Sequence, residues 1–192
     1  VGALLLIGAI GAFTVLLLTI LSLVQMFVGM KGQALGIAIA ILGLGGLIGL
    51  GVGFLGFKRA SDNAFAVPAA VALFLAALVA LTPLLALAAR SRTILQVALY
   101  GAPIVSLIAW SLCGLTALSA KKALGSGIAT LSGYTLLASG VWEVVALVMM
   151  LAGAITSRSS AQVFLVLGIF FMVVRMVGVG GLAAAFLKLR RG

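Results

Sequence analysis

The sequence predicts an all-α integral membrane protein, a bundle of about six transmembrane helices in consecutive antiparallel hairpins. Three observations carry this. Of the 192 residues, 65% are hydrophobic and 7% are charged, against about 25% charged in a soluble domain, so the chain cannot coat a water-facing surface. The apolar runs are long: no charge falls between Lys31 and Lys58, and one falls between Lys122 and Arg158. A membrane-spanning helix needs about 20 apolar residues. Finally, most basic residues stand in ones and twos at the ends of those runs, the pattern of topology signals and lipid-headgroup contacts.

The spans read in order as about 3–29, 34–57, 66–89, 94–119, 129–155 and 161–187, a single six-helix domain over 1–192. The first opens "VGALLLIGAIGAF" without an initiator Met, so upstream residues are expected. It has no basic segment before it, and its apolar run to Met30 exceeds a signal-peptide core. The second ends at "FKRASDN" and the third at "RSRT"; Pro68 lies near the start of the third, where a helix tolerates it. Pro83 and Pro103 lie deeper in spans three and four, where each removes a backbone hydrogen bond and favours a kink. The fourth ends at "AKKALGSG", the fifth at "TSRSS" and the sixth at "KLRRG". Short connections favour antiparallel neighbours. "KGQALG" (31–36) and "KKALGSG" (121–127) are alike, but too short to establish an inverted repeat.

Charge sets the expected orientation. The second loop, the fourth loop and the C-terminus hold Lys58, Arg59, Lys121, Lys122, Lys188, Arg190 and Arg191, seven residues. The opposite side holds Lys31, Arg90, Arg92 and Arg158, four. The positive-inside rule then places both termini in the cytoplasm, in the cell's inner (plasma) membrane. The net charge of +10 points to anionic lipid headgroups and not to nucleic acid, because the bases are dispersed along the bilayer edges.

Span two contains "GLGGLIGLGVGFLG" (43–56), in which Gly45, Gly49 and Gly53 recur every fourth residue. Such a glycine-zipper face lets another helix approach closely, and close packing is the main attraction available in lipid. The face fits packing inside the bundle or an interface with a second copy or a larger membrane complex. The run resembles that of the rotary ATP synthase proteolipid over this one span; the short hairpin plan of that family is absent.

Two ionisable residues lie within spans. Glu143, in "ASGVWEVVALVMM", is near the middle of span five, and Arg175, in "FFMVVRMVGVGG", is near the middle of span six. Folding the two spans about "SRSS" (157–160) brings both to one depth. A guanidinium cannot lose its proton in hydrocarbon, and placing it at a helix centre costs about 2.5 to 3.5 kcal/mol on insertion scales. Glu143 is the expected partner. Ser132, Thr135 and Ser139 precede Glu143 at helical spacing and form a polar stripe, expected either to line a half-channel from the Lys121 side or to bond a neighbouring helix. Trp110 and Trp142 lie deep rather than at the interfaces, so both are expected to face protein.

The residues present bound the function. There is no histidine, Cys113 stands alone, and the acids are Asp62 and Glu143. No Ser/His/Asp set, carboxylate pair or Cys/His metal cluster can be assembled, so the expectation is a non-enzyme with no cofactor and no metal. A small transporter or channel using Glu143 and Arg175 is favoured. The alternative is a non-catalytic structural or assembly subunit of a larger membrane complex, which fits the tiny loops.

Overall fold

The computed structural model describes residues 1–28, 33–89, 92–153 and 158–191. They form α1 (Gly2–Val28), α2 (Gln33–Ser61), α3 (Ala66–Ala89), α4 (Arg92–Ser119), the single-turn α5 (Lys121–Leu124), α6 (Ser126–Leu151) and α7 (Arg158–Arg191). No strand occurs among the described residues. Five of these helices are long and apolar enough to cross a membrane, and α3 adds the apolar stretch Ala66–Thr82. Helices suit such a sequence because every backbone polar group is satisfied within its own segment. The chain is an all-α membrane bundle.

Each long helix packs against its neighbours in sequence, with α4 reaching α6 past the short α5, and α7 returns to pack on α1. The six long helices therefore close a ring. One end of it, the near end, gathers the start of α1 and the finish of α7: a side chain on Gly2 would touch Arg190. The turn after α2 lies at the same end, because the Asn63 amide donates to the Thr116 carbonyl at 3.1 Å and to Ser119 Oγ at 2.8 Å. Asn63 Oδ1 in turn accepts from the Phe65 N–H at 2.9 Å, an Asx turn that leads into α3. Asp62, at φ 48°, turns the chain there, a conformation that Asp tolerates better than most residues. Lys58 Nζ lies 2.5 Å from Asp62 Oδ1 and, by hydrogen bond and charge, holds that exposed carboxyl below its usual range. Gly125, at φ 85°, lets α5 hand over to α6, and Lys188 Nζ ties α7 to the Leu124 carbonyl at 2.9 Å.

α2 and α7 run beyond the ends expected at 57 and 187, so Lys58, Arg59, Lys188, Arg190 and Arg191 project from helical turns. With Lys121 and Lys122 on α5 they form a basic collar at the near end. Lys31 and Arg90, expected at the opposite end, lie outside the described residues, as do the side chains of Arg92 and Arg158. α3 and α4 continue as single helices through Pro83 and Pro103.

Packing is uneven along the bundle. Among the described residues, the main buried cluster lies in the near half, from Leu5 to Val15, Leu50 to Phe57, Ala66 to Leu73, Ala109 to Ala120, Leu124 to Leu136 and Val179 to Phe186. Phe54, Phe57 and Phe186 are fully buried there, with ring centroids 5.4 to 6.2 Å apart, and they plug the ring. Small residues permit this closure. A Cβ on Gly53 would stand 2.3 Å from Gly8 Cα, and one on Gly49 2.8 Å from Gly11 Cα. The contact face of α2 is thus Gly46, Gly49, Gly53 and Gly56. Gly45 is exposed and touches nothing, which corrects the expected 45–49–53 face. A strict four-residue step drifts about 40° per step around a helix of 3.6 residues per turn, whereas alternating threes and fours stay on one side.

Gly53→Ala should destabilise the protein by about 1 to 3 kcal/mol, the usual cost of overpacking, while Gly45→Ala should change stability by less than about 0.5 kcal/mol. Unfolding titrations in mixed detergent micelles measure both.

Candidate functional site around Arg175

Arg175 lies about midway along α7, with roughly 25 Å of helix on either side at 1.5 Å per residue. Its side chain cannot reach the bilayer edge, so its environment must be supplied by protein. Arg175 Nε donates to Ser139 Oγ at 2.8 Å, and Nη2 donates to Glu143 Oε1. The guanidinium carbon stands 5.4 Å from the centre of the Trp110 ring. Two α6 residues thus bond the cation, and an α4 indole covers it.

The local register explains the pairing. Gly178 of α7 faces Thr135 and Leu136, and Gly181 faces Ser132. Counting one turn back along α7 and one turn forward along α6 sets the Arg175 backbone opposite Ser139, not Glu143. Helical side chains lean toward their own N-terminus. In this antiparallel pair, Arg175 leans toward the level of Glu143 and Glu143 leans back toward Ser139, so the two meet between those levels. Equal backbone depth, expected from folding about 157–160, is not the arrangement here. The connecting residues 154–157 lie outside those described.

The polar stripe is occupied by α7. Ser132 and Ser139 are fully buried, and a side chain on Gly181 would collide with Ser132 Oγ. Thr135 bonds back to the Leu131 carbonyl at 2.6 Å, and a Cβ on Gly178 would stand 2.7 Å from its Oγ1. Of the three hydroxyls, that of Ser139 touches the cation, while the other two serve the α6–α7 contact. Ser132 Oγ is buried with no hydrogen-bond partner.

Two cavities meet at Arg175. The first, about 180 Å³, lies inside the ring at mid-depth, just beyond the packed near half. α1, α2, α3, α4 and α7 line it, with Thr19, Ser106, Trp110 and Arg175 as its polar or amphipathic members. That volume equals the liquid share of about six waters at ~30 Å³ each. The second, about 210 Å³, is a groove between α6 and α7 lined by Trp142, Glu143, Phe164, Leu165, Gly168, Met172 and Arg175. Trp142 stacks on Phe171 with ring centres 4.7 Å apart and planes 7° apart, and leans on Phe164 at 5.7 Å. The side chains of Arg175 and Glu143 remain 21% and 26% exposed, and these cavities are what they face.

Arg175 is thus the shared wall of an interior chamber and a lateral groove. A guanidinium has five N–H donors in a planar fork that matches carboxylate and phosphate. Ser139 and Glu143 occupy two of its nitrogens, and a guanidinium has five donors, so N–H groups beyond these two bonds are available at the cavities. Among the described residues, no group of three or more His, Cys, Asp or Glu could hold a metal.

Sequence reasoning placed Glu143, Arg175 and Ser139 but missed Trp110 as a cover for the cation, and missed Phe164, Gly168 and Met172 altogether. Trp110 was detectable as an indole too deep for an interface. The groove residues carry no signal, because any lipid-facing helix contains their like.

Removing one partner strands the other in a site that is not fully enclosed, at a cost below the roughly 3 to 5 kcal/mol of a fully buried pair. Glu143→Leu alone should therefore lose about 1 to 3 kcal/mol, and adding Arg175→Met should recover much of it. A double-mutant cycle read by denaturant unfolding in micelles measures the coupling, and zero coupling would rule out a direct interaction.

No protein-family model matches the chain, and no curated protein or solved structure is significantly similar to it.

Proposed function

We propose that the chain is a small transporter or channel for anionic solutes, with the Glu143–Arg175 pair standing on the solute path. The supporting observation is the interior cavity: helices from around the ring converge on it, and a permanent cation forms part of its wall. Intramembrane ionisable residues pair with one another and mark substrate paths, ion paths and proton relays, which makes them functional-site candidates by default. Anions fit because the chain carries twelve Lys and Arg against two acids.

The near end, sealed by Phe54, Phe57 and Phe186, carries the basic collar and so faces the cytoplasm of the inner membrane by the positive-inside rule. Solute then reaches the cavity from the opposite side. Ring closure below it must open for passage, which makes alternating access a better description than a permanent pore.

The reading as a structural subunit of a larger complex draws on the short loops, but two of the three glycines expected to offer a subunit face, Gly49 and Gly53, are taken up by the α1–α2 contact.

In proteoliposomes, the wild-type protein should carry at least one of chloride, nitrate or acetate. Arg175→Ala should abolish that flux, and Glu143→Gln should change its rate by about tenfold, the weight of one charge-assisted contact. No flux of any of the three anions would favour the subunit reading. In a Cys113→Ser background, Ser106→Cys should react with a charged, membrane-impermeant sulfonate thiol reagent, because its position lines the cavity; complete protection would show the cavity closed to water.

A further inference from the structure

We propose that the α6–α7 groove is a lateral entrance from the bilayer, and that its ligand is a single-chain amphiphile with a carboxylate head that docks on Arg175. The inference rests on the reading of Arg175 as part of a solute path, and it names the class of solute.

Four observations carry it. Arg175 lines both the groove and the interior cavity, so a head group bound to it from the groove already stands at the chamber wall. The groove walls are those an acyl chain would take: Phe164, Leu165, Met172 and the Trp142 face. Gly168 has nothing within 4 Å of where a side chain would begin, which leaves a slot in the middle of the wall. Around the groove, Val163, Leu165 and Val166 are 46 to 64% exposed, so it borders a surface that lipid tails cover.

The sign of the head follows from which partner is anchored. Ser139 and Trp110 hold Arg175 independently of Glu143. Among the described residues, the polar contact that Glu143 makes is the one with Arg175. Glu143 can therefore swing aside while the cation stays in place, and an incoming carboxylate takes its position on the fork. A cationic head paired with Glu143 would sit beside a fixed guanidinium and be repelled. Size selects a single chain. A volume of about 210 Å³, the share of roughly seven waters, holds a carboxylate and its first methylenes but not a glycerol phosphodiester with two chains.

The chain contains two tryptophans, one at each cavity, so each single variant leaves one fluorescent reporter. Trp110→Phe keeps the groove reporter Trp142. In zwitterionic proteoliposomes, in mildly alkaline buffer where the free acid is ionised, dibromostearate should quench Trp142 at about tenfold lower membrane concentration than dibromostearyl alcohol. Gly168→Leu fills the slot without touching the ion pair and should erase that preference; Arg175→Gln should erase it as well. Equal quenching by acid and alcohol, or a preference that survives Gly168→Leu, would overturn the proposal. Equally strong quenching by a dibrominated phosphatidylglycerol would replace the single-chain ligand with an ordinary anionic lipid and overturn it too. Small-anion flux without the acid preference would remove the lateral entrance and leave the interior path standing. The acid preference without flux would uphold the groove and remove transport.

Discussion

A charge that cannot be neutralised, placed in the middle of an apolar helix, governs the rest of this molecule. Arg175 carries its proton under any physiological condition, and insertion at a helix centre costs about 2.5 to 3.5 kcal/mol. Two charge-assisted hydrogen bonds, each worth about 1.5 to 3 kcal/mol, together with an indole face worth about 0.5 to 2 kcal/mol, offset that cost. They are supplied by Ser139, Glu143 and Trp110, on two other helices. α4, α6 and α7 are thereby fixed relative to one another at mid-depth, where apolar contacts alone specify register weakly.

Small residues decide where the ring closes. In lipid no hydrophobic force draws helices together, and attraction comes from close packing and hydrogen bonds. Gly8 and Gly11 against Gly49 and Gly53, Gly114 against Gly133, and Gly178 and Gly181 against α6 all lie in the near half. Three phenylalanines then fill the space the backbones leave. Beyond that level α3 and α4 present Ala76, Ala80, Ala102 and Ser106 to the axis. These side chains are too short to meet across it, and a cavity results. The polar site sits at the boundary between the closed and open portions.

Much of this was legible in the sequence because charge is so scarce. With one acid and one central base in the last two spans, the pairing of Glu143 with Arg175 had almost no competitor. The helix run was legible for the same reason. Ring closure was not: hairpin logic reaches only sequence neighbours, and nothing in α1 or α7 announces that they touch. The glycine face was half legible. Gly49 and Gly53 lie in the seam, but Gly45 lies off it, because a helix of 3.6 residues per turn does not keep an even four-residue step on one side. The Ser132–Thr135–Ser139 stripe is compatible in sequence with a half-channel or with a helix contact; Ser132 and Thr135 lie in the contact with α7, because "GVGG" lets α7 come close enough to cover them, and Ser139 bonds Arg175. Sequence shows that a face is polar; what fills the space before it depends on the neighbour's volume.

The energetics of the pair bear on whether it is a staple or a gate. A fully buried ion pair resists exchange, because breaking it leaves two stranded charges. Here both side chains keep about a quarter of their surface open to cavities, and the cation has holders other than the carboxylate. An incoming carboxylate would then replace Glu143 on the guanidinium with a contact of the same kind. The net change would be limited to the cost of moving Glu143 into the groove or chamber. A staple would be better made by enclosing both charges and bonding both acceptor oxygens. Anchoring the base between two cavities, while the acid at the groove has, among the described residues, its polar contact with that base, is the arrangement that lowers the cost of exchange.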